Sequence, residues 1–288
     1  MADTETKAKF RGCYVATLTP FNAADELNVD VVRAHVRWLI DNGVQGLCPA
    51  GTTGELLYLT EKEKRQVVAA TVEAAAGRVP VMAGVWALRP AAIAELAWAA
   101  EDVGADAVFL PPPIYYPAND EVIYAYYAAV REATALPVFA YNIPQYAANE
   151  VSLACLERLL ADGVIAGVKD SSGSAERMGE LVRRFGEATA IFAASDSFAT
   201  QGRRLGADGF ISAIANVAPS LFARLWAGDE TLQGAVDNLR AAMKRVGSIP
   251  ALKSLMARHG FAFGASRLPF SGLTAEQQAQ LAALTIPA

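Results

Sequence analysis

Val164-Ile165-Ala166-Gly167-Val168-Lys169-Asp170-Ser171-Ser172-Gly173 is an apolar run that stops at a lysine. A helical pattern over residues 153–161, closed by Gly163, precedes it, and another over residues 175–185 follows. A short, continuous apolar run between helices reads as a strand buried on both faces, here residues 165–169. The same rhythm runs in both directions. Strands are expected at 13–18, 46–49, 79–83, 107–110 and 138–141 before it, and at 190–194 and 209–211 after it. Helical windows lie at 29–42, 61–76, 91–103, 120–133 and 198–205. Gly43, Gly77, Gly104, Gly163 and Gly206 follow helices and mark their C-terminal stops. Strands that alternate with helices pair in parallel. Eight such units predict an α/β fold closed on itself, the (β/α)8 TIM barrel, with an open doubly wound sheet as runner-up.

After Pro219 the strands stop, and residues 220–226, 231–246, 251–259 and 274–284 read as helices. The expected organisation is therefore a barrel over residues 1–218 and a C-terminal helical extension over residues 219–288. Thr274-Ala275-Glu276-Gln277 has the pattern of a helix entry.

The composition, 53% hydrophobic and 19% charged over 288 residues, is globular. A net charge of -5 leaves no basic footprint for nucleic acid. No stretch approaches the ~18 uncharged apolar residues of a membrane span. The polar segment Met1-Ala2-Asp3-Thr4-Glu5-Thr6-Lys7 lacks the apolar core of a secretory signal. Cys13, Cys48 and Cys155 are odd in number, scattered and flanked by apolar residues, so they read as buried free thiols. A cytoplasmic location is expected. His35 and His259 are the only histidines, and no Cys/His cluster has ligand spacing, so neither a metal site nor a His-based triad is expected.

Lys169 carries the chemistry. A lysine that closes a buried strand loses hydration, which disfavours its charged form. A neutral amine attacks carbonyl carbon, the first step of Schiff-base catalysis. The bland alternative is a strand-end lysine that snorkels to water. The other lysines look different: Lys7 and Lys9 lie in a polar tail, and Lys62, Lys64, Lys244 and Lys253 in helical patterns with charged or polar company.

Barrel active sites form at the C-terminal ends of the strands. The second strand ends in Pro49-Ala50-Gly51-Thr52-Thr53-Gly54-Glu55, whose glycines and hydroxyls can cradle a carboxylate. An ordinary turn would look the same, and without Gly-Lys-Ser/Thr it is not a P-loop. The fourth ends in a proline-stiffened Leu110-Pro111-Pro112-Pro113-Ile114-Tyr115-Tyr116-Pro117, and the fifth in Tyr141-Asn142-Ile143-Pro144. A strand-end tyrosine can move a proton beside a lysine on the next strand. Asp196, in Ala194-Ser195-Asp196, can bind hydroxyls or cap a helix.

Together these motifs resemble the dihydrodipicolinate synthase / N-acetylneuraminate lyase family of class I, pyruvate-dependent aldolases. The likeness runs from Val15-Ala16-Thr17-Leu18-Thr19-Pro20-Phe21 through Gly206-Ala207-Asp208-Gly209 into the helical tail. Gly51-Thr52-Thr53-Gly54-Glu55, Tyr141-Asn142-Ile143-Pro144 and Gly167-Val168-Lys169 stand in the family's order. The resemblance implies that Lys169 forms an imine with pyruvate or another 2-keto acid, with no cofactor. It implies that Thr52 and Thr53, beside Gly51, bind the carboxylate, that Tyr141 moves the proton, and that the backbone of Ile211 lines the pocket. It gives Tyr115 a place in a proton relay through Thr52 across a subunit interface, hence a homodimer or homotetramer.

The departures bear on substrate. The synthases carry an arginine two residues after the proline of the Tyr-Asn-x-Pro motif; here it is Tyr146. A tyrosine cannot grip a carboxylate with a bidentate, charged fork, which argues against aspartate semialdehyde unless another cation, Arg89 being nearest in sequence, fills the gap. The sialic-acid lyases carry an Asp-Glu pair after strand seven; here it is Asp196-Ser197, half of that clamp. The expected activity is a lyase or aldolase that cleaves or forms a 2-keto acid with pyruvate as one fragment, a 2-keto-3-deoxy sugar acid or sialic-acid-like compound. A dihydrodipicolinate synthase, a dehydratase or deaminase using the same imine, and a non-catalytic keto-acid binder are the alternatives.

Overall fold

The computed structural model describes residues 4–286; residues 1–3 and 287–288, the outermost parts of the expected domains and of the polar N-terminal segment, lie outside the described residues. Eight parallel strands, β1 (Gly12–Ala16), β2 (Gly46–Cys48), β3 (Met82–Gly84), β4 (Ala107–Leu110), β5 (Val138–Asn142), β6 (Gly167–Asp170), β7 (Ala190–Ala193) and β8 (Gly209–Ser212), pair in the order β2-β1-β8-β7-β6-β5-β4-β3. A parallel bridge from Leu47 to Val81 brings β2 back to β3, and the Gly84 N–H donates to the Pro49 carbonyl over 2.9 Å. The sheet thus closes into the expected TIM barrel.

Helices α1 (Thr4–Lys9), α2 (Val29–Asp41), α3 (Glu61–Ala75), α4 (Pro90–Asp102), α5 (Asp120–Glu132), α6 (Pro144–Ala147), α7 (Leu153–Ala161), α8 (Ala175–Phe185), α9 (Ala199–Arg204) and α10 (Pro219–Ala227) surround it. Helix α10 covers β8 and β1, where Phe210 stacks on Phe222 and Trp226. Of the extension expected from residue 219, α10 instead packs on the barrel strands, and the rest consists of α11 (Gln233–Val246), α12 (Ser248–Met256) and α13 (Ala275–Ala282), the last entered through a capping box between Thr274 and Gln277. Among the described residues no helix is long and apolar enough to cross a membrane.

The barrel interior is filled by pairing large residues with none. Tyr14, Phe139 and Phe192 face Gly46, Gly167 and Gly209 on neighbouring strands. A Cβ at those glycines would fall 2.1, 2.0 and 2.2 Å from the rings, so only glycine fits. Beneath them Phe10 meets Phe139 edge-on at 5.0 Å and plugs the N-terminal end. Lys7 and Lys9, expected in a polar tail, lie on α1 and pair with Asp208 at 2.8 Å and Asp106 at 2.6 Å. These ion pairs hold α1 under the barrel.

Two expected boundaries move for backbone reasons. Strand β3 starts at Met82 rather than Val79, because Pro80 has no N–H and the Val81 N–H donates to the Asp106 carboxylate over 2.7 Å. Helix α12 starts at Ser248, ahead of Pro250, because first-turn amides need no helical acceptor. The single-turn α6 was not expected at all.

Candidate active site

Three lysines are buried, Lys64, Lys169 and Lys253, which corrects the expectation that Lys169 stands apart by position alone. Lys64 donates to the Trp86 carbonyl over 2.9 Å, and Lys253 pairs with the buried Glu55. Burial pulls both ammonium groups below their usual pKa, and Glu55 opposes the pull on Lys253. Lys169, 3% exposed, has neither a carboxylate nor a carbonyl partner among the described residues. Its Nζ lies 3.8 Å from the centre of the Tyr141 ring and 4.9 Å from that of Phe109. What distinguishes Lys169 is an uncommitted amine on an aromatic floor.

Its neighbours are fixed from behind. Tyr141 and Lys169 are register partners on β5 and β6. The next residues, Asn142 and Asp170, point away from the barrel axis and bond to each other over 2.8 Å. Arg177 of α8 donates to Asp170 over 2.7 Å, and the Val151 N–H donates to the Asn142 amide oxygen over 3.0 Å. This buried network locks the two strand ends side by side. Cys48, near Lys169, is pushed up to about 12 by burial, so its thiol stays protonated.

Above the amine lies the turn after β2. Ala50 (φ 55°) and Glu55 (φ 61°) hold left-handed conformations at its two ends. Such conformations cost non-glycine residues about 1–2 kcal/mol each, so the surroundings must enforce them. Gly84 lets the turn settle on β3, since a Cβ there would lie 2.3 Å from the Ala50 carbonyl oxygen. Glu55 is clamped by Lys253 and by the Arg267 N–H at 2.9 Å. Between these clamps the Thr52 and Thr53 N–H groups have no acceptor among the described residues. Two free amides at the start of a helical turn suit an anion.

Thr52, Thr53, Tyr141, Lys169, Asp196 and Ile211 line one cavity of ≈ 330 Å³ at the C-terminal end of the barrel. Gly51 supports the turn without lining the cavity, and Tyr115 stands outside it, 81% exposed with φ 81°. Asp196 accepts from the Ser212 hydroxyl at 2.5 Å and lies 3.6 Å from Arg240. Burial raises its pKa, opposed by that hydroxyl and by the guanidinium. The sequence reading missed Gln145, Ser171, Arg240, Lys244 and Ser248, which also line the cavity. Gln145 directly follows Tyr141-Asn142-Ile143-Pro144 and Ser171 lies within the run that carries Lys169, so both were within reach. Arg240, Lys244 and Ser248 come from the extension, and no local pattern announces that α11 and α12 fold over the barrel mouth. Arg89 precedes α4 as its N-terminal flanking residue and does not line the cavity.

The profile of the dihydrodipicolinate synthetase family matches residues 9–286. The chain belongs to this family. A DapA-like lyase of Halobacterium salinarum is 38% identical over 94% of this chain and 92% of its own. A 4-hydroxy-tetrahydrodipicolinate synthase of Rhizobium meliloti is 40% identical over 74% of this chain and 73% of its own. The wild-type sialic acid aldolase of Ruminococcus gnavus superposes with a TM-score of 0.91 at 25% identity, covering 95% of each chain. This family member is therefore an enzyme, a carbon–carbon lyase of the aldolase kind.

Proposed function

We propose that this family member is a class I aldolase in which Lys169 forms an imine with pyruvate or a 2-keto acid of which pyruvate is one fragment. The observation that carries the reading is the unpartnered Lys169 amine over the Tyr141 ring, in the same cavity as the free Thr52 and Thr53 amides. The carboxylate of the keto acid sits on those amides, which aims its keto carbon at Lys169 Nζ. The amine adds to that carbon, and loss of water leaves the protonated imine. In the cleavage direction a base takes the proton of the hydroxyl on C4, the C3–C4 bond breaks, and its electron pair flows into the imine as an enamine. The aldehyde leaves, C3 takes a proton, and water hydrolyses the imine to pyruvate and free lysine. Tyr141 carries the protons in this reading, with Thr52 and Tyr115 of a neighbouring protomer relaying them. Ile211 walls the pyruvate end, and Asp196 meets hydroxyls further out.

The imine itself is the electron sink, so the scheme requires neither metal nor organic cofactor. Three buried free thiols suit a reducing, cytoplasmic setting. Aspartate semialdehyde is a poor acceptor in this reading. Tyr146 at the mouth offers no guanidinium, and although Arg240 and Lys244 could face the acceptor's carboxylate, they would repel the ammonium on the adjacent carbon. A 2-keto-3-deoxy acid lacks that ammonium. The test is borohydride reduction in the presence of pyruvate: one pyruvyl mass is expected, on the peptide that contains Lys169, with activity unchanged by EDTA. Labelling that persists in Lys169→Ala would sink the assignment.

A further inference from the structure

Charge at the outer end of the cavity identifies the other end of the substrate. Of the described side chains that line it, Asp196 is the only carboxylate, and Arg240 and Lys244 add two basic groups to Lys169. Arg240 and Lys244 lie four residues apart on α11, so they share one face of that helix. Like charges at this spacing repel in the free protein, and a bound anion relieves that repulsion. Neither is used up. Arg240 approaches Asp196 only to 3.6 Å and makes no hydrogen bond among the described residues, and Lys244 makes neither an ion pair nor a hydrogen bond. Asp196 is already held by Ser212. The inner end of the cavity, with the Thr52 and Thr53 amides and Lys169, takes the keto-acid end in the reading above.

We propose that Arg240 and Lys244 form a second anion subsite, so the preferred substrate is a 2-keto acid whose far end carries another anionic group, a carboxylate or a phosphate. The inference rests on the imine reading and adds the recognition of the distal end. It places specificity on the helical extension rather than on the barrel strands. The guanidinium fork, which has an ion-pair contact with Asp196 but no hydrogen bond, and the ammonium give charge-assisted hydrogen bonds that a neutral hydroxymethyl end cannot receive as strongly.

The test compares two probes of equal length, 2-oxoadipate and 2-oxohexanoate, as competitors of pyruvate labelling at Lys169. The wild type should bind 2-oxoadipate about ten-fold more tightly. The preference should shrink as salt rises, because the two cations are partly in water. It should fall to about one-fold in the Arg240→Gln/Lys244→Gln double variant and reverse in Lys244→Glu. The readout is a ratio within each protein, so a general loss of activity cancels. Cleavage of 2-keto-3-deoxy-6-phosphogluconate against its unphosphorylated form then separates a phosphate end from a carboxylate end. Equal binding of the two probes by the wild type, or an unchanged ratio in the double variant, overturns the subsite while leaving the imine intact. Failure of pyruvate to label the wild type overturns the imine reading and the subsite together.

Discussion

At the scale of the residue, the decisive property of Lys169 is what it lacks. Lys64 and Lys253 are equally buried, yet each is committed to a carbonyl or a carboxylate. A committed amine must break that contact before it attacks a carbonyl, whereas Lys169 rests on aromatic faces. Lys169→Arg keeps a cation but removes an amine that can deprotonate. It should therefore abolish both borohydride labelling and turnover, although the protein still folds by circular dichroism; residual labelling at residue 169 would contradict this. Tyr141→Phe keeps the ring under the amine and removes only the phenol. Labelling by pyruvate should survive while kcat falls about 10²–10⁴-fold, the usual loss of a general acid–base group. An unchanged kcat, with labelling intact, would show that Tyr141 serves as a platform and not as a proton carrier. Both residues were legible in the sequence, because an apolar run broken by one lysine and a neighbouring strand ended by a tyrosine are local signals. Arg240 and Lys244 were not, because their relevance depends on how α11 packs across the barrel mouth.

At the scale of the element, the turn after β2 depends on residues far away in sequence. Arg267 donates its N–H to Glu55 and its guanidinium to Glu63, the residue that completes the α3 capping box with Thr60. The Arg267 guanidinium, with the Thr60 donors, holds the Glu63 carboxyl at about 2. Its unfolded value is about 4.3. A depressed carboxyl contributes stability that is whole above the unfolded value and is lost as pH falls through the folded one. The wild type should lose more stability than Glu63→Gln as pH drops from about 5 to about 2, read as urea midpoints at each pH. Parallel curves would contradict the pairing. The alternation of strands and helices was legible because period and punctuation are local. The boundary at β3 shifted because the Val81 N–H goes to the Asp106 carboxylate instead of to a ladder carbonyl, a contact across 25 residues that no window reveals.

At the scale of the whole molecule, one feature has no use within a single protomer. The loop after β4 holds Tyr115 with φ 81°, and its ring packs edge-on at 5.0 Å against Tyr116, with both rings largely in water. Leu57, Leu88 and Val122 are exposed as well. A left-handed tyrosine costs roughly 1–2 kcal/mol, and large apolar side chains in water add to that burden. An isolated chain gains nothing in return, whereas a second copy that buries the aromatic pair would offset both. The chain should therefore sediment as a dimer or tetramer. Tyr115→Phe keeps the ring, so assembly should persist while kcat falls if the phenol joins the proton path. Tyr115→Ala should weaken assembly as well, shifting the dissociation constant upward by about ten-fold or more, as expected for an aromatic anchor at an interface. Sedimentation of a fully active monomer would refute the interface and the relay together. Dissociation on Tyr115→Ala without any change in kcat per protomer would keep the interface and remove Tyr115 from the chemistry.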